Sequence, residues 1–315
     1  MEYKTISQLE AGTKIDGFYI IKSVEVKTSS TNKKYLDFTL GDKTGEINAK
    51  LWDCSDEDLD TYKANTLVKV RAVVADWQSR LQLKLERIRL SVPEDNVNIE
   101  DFVPVAPYSS EDMYSTLLGY INNMKDEDIK NIVMYIIEEK EEKLKHYPAA
   151  MKNHHSIRGG LLYHVTTMLK VGEKICEVYT SLNKDLLFGG IILHDIAKIE
   201  EMDASELGIV NGYTVEGQLL GHIIQGIKQV EIAADALGVD KEKSMLLQHL
   251  ILTHHYEPEY GSPKKPMIPE GEILHHLDEM DAVMFDMNKA LQSTEEGCFS
   301  DKVWTLQRKV YKPEN

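Results

Sequence analysis

The dipeptide His194-Asp195, which closes the apolar run Leu186–Leu193, most constrains how this chain can fold, because further histidines recur around it at nearly even intervals. His164, His222 and His254-His255 stand about one helix-plus-turn apart, and the acidic pair Asp278 and Asp281 follows. Imidazole and carboxylate are preferred by borderline and hard divalent cations, and ligands so far apart in sequence meet only through folding. A charged Asp at the end of an apolar run is costly to bury unless it is paired or metal-bound. With 11 histidines in the chain the dipeptide alone is weak evidence, whereas the ordered set points to a metal site distributed over a helical bundle.

Each partner lies in a helix-compatible apolar context. His164 follows Leu161-Leu162-Tyr163, with Met168, Leu169 and Val171 beyond it. His222 sits between Leu219-Leu220-Gly221 and Ile223-Ile224, and His254-His255 ends the run Met245–Thr253. Asp278 and Asp281 are spaced i, i+3, on one helical face. On these residues, the stretch from about 150 to 290 resembles the HD-domain metal-dependent phosphohydrolases. The family pattern falls on His164, His194, Asp195 and Asp278, and His222, His254 and His255 stand where two-metal members carry additional ligands. Choosing Asp278 over Asp281 rests on aligning Asp278-Glu279-Met280-Asp281 with the family's last ligand helix. Lys198, on the same face as Asp195, is a candidate contact for a substrate phosphate, with a solvated lysine as the alternative.

A length of 315 residues with 42% hydrophobic content argues for two domains with ample core. Residues 1–92 alternate: Phe18–Ile21 with Val24–Val26, Tyr35–Leu40, Glu46–Trp52, Leu67–Val74 and Leu81–Leu85 read as strands, separated by turns such as Gly41–Gly45. Five strands with that hairpin favour an OB-fold. Residues 93–108 form a proline-punctuated acidic stretch that reads as a linker, and 109–315 become helical, starting at Ser109-Ser110-Glu111-Asp112. The expected class is α+β multidomain, an N-terminal OB-like β-barrel followed by an all-α HD-domain helical bundle. Cys54, Cys176 and Cys298 match no metal spacing, and no signal peptide or membrane-length apolar run is visible, so a cytoplasmic enzyme is expected.

Charge separates the halves. Residues 1–92 hold 15 Lys plus Arg against 14 Asp plus Glu, a net of +1, so residues 93–315 carry −17 of the −16 total. The barrel therefore escapes the acidity that disfavours nucleic-acid binding elsewhere. Its cations and rings, among them Lys33, Tyr35, Lys50 and Lys84, suit a single strand, whose bases stack on aromatic side chains without regard to sequence. Phe38 and Trp52 read as core residues, and Trp77 and Arg80, in the turn Asp76–Arg80, as the better exposed contacts.

An OB-like barrel joined to an HD bundle resembles the YhaM-type 3′-to-5′ exoribonucleases over nearly the whole chain. The carriers are Leu36–Trp52, His154–His164, Glu216–His222, and His254-His255 followed by Glu259–Pro263. The resemblance implies a divalent metal, Mn²⁺ favoured over Co²⁺, Mg²⁺ or Fe²⁺, with two ions per site. It also implies single-stranded RNA as substrate, releasing nucleoside 5′-monophosphates, with single-stranded DNA as a further candidate; HD enzymes often assemble, so a homo-oligomer is a candidate too, although no motif fixes stoichiometry. Tyr163, Ala197 and His276 depart from residues common in that family, and none removes a ligand. The expected roles are Asp195 bridging two metals, Arg158 or Lys198 holding phosphate oxygens, Asp281 orienting a ligand, and His154 and His155 meeting the terminal phosphate. The alternative is an HD-type nucleotide or cyclic-dinucleotide phosphohydrolase with the barrel used for assembly; Gly261-Ser262-Pro263 does not match the Gly-Tyr-Pro of cyclic-di-GMP hydrolases.

Overall fold

The structure, a computed structural model, describes residues 4–52, 54–78 and 80–314. They form two compact units, 1–105 and 106–315, each treated by itself below.

In the first unit β1 (Lys14–Thr28), β2 (Lys34–Asp42), β3 (Gly45–Leu51), β4 (Thr66–Trp77) and β5 (Arg80–Leu90) close a barrel in the order β1-β2-β3-β5-β4, with β4 returning to β1. A short helix, α1 (Asp56–Thr61), connects β3 to β4, and its first turn is capped by Ser55. This is the OB-fold. Period-two alternation builds it: Leu36, Phe38 and Leu40 of β2 point inward with Ala49, Val68, Val70 and Leu83, while Tyr35 and Asp37 are left on the other side. The stretches Phe18–Ile21 and Val24–Val26 belong to one long strand. A register shift between Ile21 and Ser23 bends it, so that its first half pairs with β4 and its second half with β2. Beyond β5, Asp95 accepts hydrogen bonds from both terminal guanidinium nitrogens of Arg89, Lys43 reaches Asp101 at 2.9 Å, and Val103 is buried.

The second unit contains α2 (Ser110–Asn122), α3 (Glu127–Leu144), α4 (Gly160–Val178), α5 (Lys184–Leu193), α6 (Lys198–Glu201), a small hairpin of β6 (Met202–Ala204) and β7 (Val210–Tyr213), α7 (Val215–Leu237), α8 (Lys241–Thr253) and α9 (Pro269–Gln292). The Ser109 hydroxyl caps α2 by accepting from the Asp112 N–H at 3.1 Å, and acidic residues fill that first turn. On α3 the buried stripe Ile129, Ile132, Val133, Ile136 and Ile137 follows helical spacing, leaving most of its acids and lysines on the outer face. Every residue of Leu186–Leu193 is buried, because α5 packs against α3, α4, α8 and α9. Its C-terminal end therefore delivers His194 and Asp195 to the middle of the bundle. Among the described residues no helix is long and apolar enough to cross a membrane.

Candidate metal centre

Five helices bring one side chain or pair each to a common point: His164 from α4, His194 and Asp195 from the end of α5, His222 from α7, His254 and His255 from the end of α8, and Asp278 from α9. Donor atoms of Asp195, His222, His254 and His255 lie within 4.8 Å of one another, as do those of His164, His194 and Asp195. Asp195 is common to both groups. Asp278 closes the second by standing 3.3 Å, Oδ1 to Nε2, from His164.

Local backbone features aim these rings. Gly221 interrupts α7 at φ 69°, ψ 163°, a conformation essentially reserved for glycine, and the break turns His222 inward. The Glu201 carboxylate then accepts from both the backbone N–H and Nδ1 of His222, each at 3.1 Å. At the start of α4 a Cβ on Gly160 would fall 2.0 Å from the His155 carbonyl oxygen. Only glycine lets the His155 backbone lie against the helix, and this seats the His155 ring inside, 2.7 Å from Asp281 Oδ2.

Each anchored ring has one nitrogen committed. His194 Nδ1 donates to the Ile191 carbonyl and His254 Nδ1 to the Ile251 carbonyl, both at 2.8 Å, and His255 Nδ1 donates to the Tyr260 carbonyl. His164 Nδ1 meets Asp281 Oδ2 at 2.7 Å. A carbonyl can only accept, so the proton sits on Nδ1 and the Nε2 lone pair is left facing the centre. Nε2 of His194, His222 and His254, together with Asp195 Oδ1, are buried atoms without a hydrogen-bond partner. Convergent and otherwise unsatisfied, this donor set fits a divalent metal.

The electrostatics agree. Burial holds His194 below the usual imidazole value, and burial with the neighbouring His255 and His194 holds His254 well below it, so both stay neutral and able to ligate. Burial alone would raise Asp195, but the charges around it, the Lys198 ammonium foremost, outweigh burial and keep the carboxyl ionised. His164 is different. Burial disfavours its charge, yet the hydrogen bonds to Asp278 and Asp281 push its pKa up to about 10.

A cavity of about 840 Å³ opens above the centre, with Lys198, Glu201, His222, His254 and Asp278 in its wall. Lys198 Nζ is bound to Asp195 Oδ2 at 2.6 Å, so it faces the cavity from within the centre. His154 also lines the cavity. Arg158 does not; its Nε donates to the Glu206 carbonyl. His155, expected at the terminal phosphate, is 1% exposed and hydrogen-bonded to Asp281, so it buttresses the Asp281–His164 contact instead of facing a ligand. Two residues escaped the sequence reading here. Glu201 orients His222, and His275 Nδ1 donates to the His254 carbonyl at 2.9 Å.

On the barrel, Tyr35 and Trp52 stack with ring centroids 4.4 Å apart at 25°, and Lys50 Nζ lies 5.8 and 5.6 Å from the two centroids. Trp52, expected in the core, is 41% exposed; Phe38 is fully buried. Leu51 points inward, so its neighbour points out. Lys33 and Trp52 line one shallow concavity, and Lys84 of β5 pairs in register with Lys50. Trp77, 65% exposed, and Arg80 line a separate one at the β4–β5 turn; Ser79 lies outside the described residues.

The two units define an HD-type bundle carried with an OB barrel. Residues 161–283 match the HD domain family and residues 20–91 the OB-fold nucleic acid binding domain family. Over 311 residues the chain is 42% identical to the 3′-5′ exoribonuclease YhaM of Bacillus subtilis (strain 168), covering 98% of each chain. It is 41% identical to the YhaM of Geobacillus sp. (strain WCH70), covering 98% of this chain and 95% of the relative. The chain belongs to the YhaM family.

Proposed function

We propose that this chain is a metal-dependent 3′-to-5′ exoribonuclease that holds single-stranded RNA on its barrel and releases nucleoside 5′-monophosphates at the bundle. The observation that carries this reading is the set of four buried, unpartnered donors, Nε2 of His194, His222 and His254 with Asp195 Oδ1, beneath an open cavity. His164, His194, Asp195 and Asp278 would hold one divalent ion, and Asp195, His222, His254 and His255 a second, with Mn²⁺ suited to this mixed imidazole and carboxylate set. Such ions, when bound, draw charge from phosphodiester oxygens and lower the pKa of the attacking water.

The chain's own groups do the rest. Lys198, half-buried and held charged by Asp195, presents a cation to a non-bridging phosphate oxygen. His154 lines the same cavity. Release of a 5′-monophosphate requires a water oxygen to bond to phosphorus as the P–O3′ bond breaks; the upstream 3′ oxygen takes a proton and becomes the new hydroxyl end. Stacking on Tyr35 and Trp52 beside Lys50 retains the strand without reading its sequence. The three cysteines are unpaired, in keeping with a reducing cytoplasm.

The test is a 5′-labelled single-stranded RNA incubated with Mn²⁺, alongside the same sequence as DNA and a cyclic dinucleotide. A ladder shortening one nucleotide at a time, with mononucleotide product, is expected. Intact RNA together with hydrolysis of the cyclic dinucleotide would overturn the reading.

A further inference from the structure

Beside the catalytic cavity lies a second one, of about 890 Å³, between α9 and the C-terminal segment. The two share a wall: Lys152 and Asn153 line both. The far wall is a folded-back hairpin in which Phe299 bridges to Tyr311 and Val303 to Arg308. It is firmly tied down. Val310 is buried and donates its N–H to the Ser300 hydroxyl at 2.9 Å, and Lys312 Nζ donates to the carbonyls of Leu291 and Thr294. Yet this fixed hairpin turns Trp304, 74% exposed, and Phe299, 65% exposed, toward solvent along the cavity. Phe299 is tilted against Tyr311, with ring centroids 5.0 Å apart at 49°, whereas the Trp304 ring meets no other ring among the described residues, and its open face marks a contact surface.

The charge of the lining says which kind. Lys152, Lys289 and Lys302 are exposed and, among the described residues, none is drawn into an ion pair. The lining carboxylates are Asp286, which is buried and accepts from the Thr305 hydroxyl at 2.6 Å, and the exposed Glu295 and Asp301, so lysines and carboxylates balance there. In a region that carries −17 over residues 93–315, an uncommitted set of lysines interleaved with exposed rings is the composition that tracks a single-stranded phosphate backbone and stacks its bases.

We infer that this second cavity holds the nucleotides upstream of the RNA 3′ end, with Trp304 and Phe299 as stacking platforms and Lys152 at the crossing from one cavity to the other. The inference rests on the exoribonuclease reading. It adds a binding site on the helical unit itself, separate from the barrel, so substrate length is sensed beside the metals.

The experiment uses the full chain and two substrates, a dinucleotide and a six-nucleotide RNA, plus a six-nucleotide RNA carrying 4-thiouridine three positions from its 3′ end. Irradiation of the last, with metal chelated, is expected to attach it to the 299–304 segment. Trp304→Ala is expected to raise KM for the six-nucleotide RNA by roughly 5- to 100-fold, the loss of one base stack, with kcat unchanged, dinucleotide turnover unchanged, and recovery in Trp304→Phe. A crosslink elsewhere, an equal loss on the dinucleotide, or a changed oligomeric mass in Trp304→Ala would overturn the proposal. If the wild-type chain crosslinks at 299–304 but cleaves neither substrate, the binding site stands and the nuclease reading fails.

Discussion

The candidate metal centre and the aromatic face of the barrel are built in opposite ways. In the centre, polar groups are buried and each is fixed by a second partner: Asp281 behind His164, Glu201 behind His222, a backbone carbonyl behind His194 and His254. On the barrel, Tyr35, Trp52 and Lys50 are supported mainly by one another and remain open to water. The first arrangement demands residues of one chemical type at one geometry. The second asks only for a ring and a cation on the outward side of a strand, so it tolerates exchange and should yield graded losses where the centre yields abrupt ones.

The largest expected effect comes from removing the side chain shared by both donor groups. Asp195→Ala should lower turnover by more than about 100-fold, the upper end for losing an outer partner of a metal ligand, while RNA binding in chelator stays near wild type. Equal loss of binding and turnover, seen by comparing anisotropy with product release, would erase the distinction between the two regions. Next come the outer partners themselves. Asp281→Asn and Glu201→Gln should each weaken metal affinity or activity by about 10- to 100-fold, read by metal titration, with no change in RNA affinity. On the barrel, Tyr35→Ala with Trp52→Ala should raise the Kd for single-stranded RNA by roughly 5- to 100-fold, and leave dinucleotide turnover untouched.

A smaller effect follows from protonation. In the metal-free centre His164 has a pKa of about 10, raised from 6.5, because its contacts to Asp278 and Asp281 outweigh burial. Near neutral pH it is therefore protonated, and a metal ligating it must displace that proton. Calorimetry in buffers of different ionisation enthalpy should register about one proton released per site filled, with affinity rising as pH climbs toward 10. The same shift gives the metal-free protein a stabilisation that is full below about 6.5 and lost as pH rises through about 10. Metal uptake without proton release would show that His164 is not a ligand. The smallest expected change is in Lys50→Ala, which should flatten the salt dependence of RNA binding by about 0.7 in log–log slope, the contribution of one neutralised phosphate on a single strand.

How legible each region was in the sequence follows from the same contrast. The candidate ligand positions stand out because few residue types can hold a divalent metal and because His194-Asp195 ends a run that the fold buries completely. Glu201 does not, since it sits in an acidic pair with Glu200 and its partner His222 comes 21 residues later, across the β6–β7 hairpin. The burial of His155 depends on a single missing Cβ at Gly160, which a hydropathy pattern does not register. The barrel was visible as alternation, but not the bend that makes β1 one strand serving two neighbours. Trp52 reads as core from its sequence, whereas strand parity after the inward Leu51 sends it outward.

The most direct test of the account is anomalous diffraction from crystals of the protein loaded with Mn²⁺. The account predicts two peaks flanking the Asp195 carboxylate, one within ligand distance of His164, His194 and Asp278, the other of His222, His254 and His255. A single peak that leaves Nε2 of His222 and His254 without a metal, or any peak that Asp195 does not touch, would contradict it.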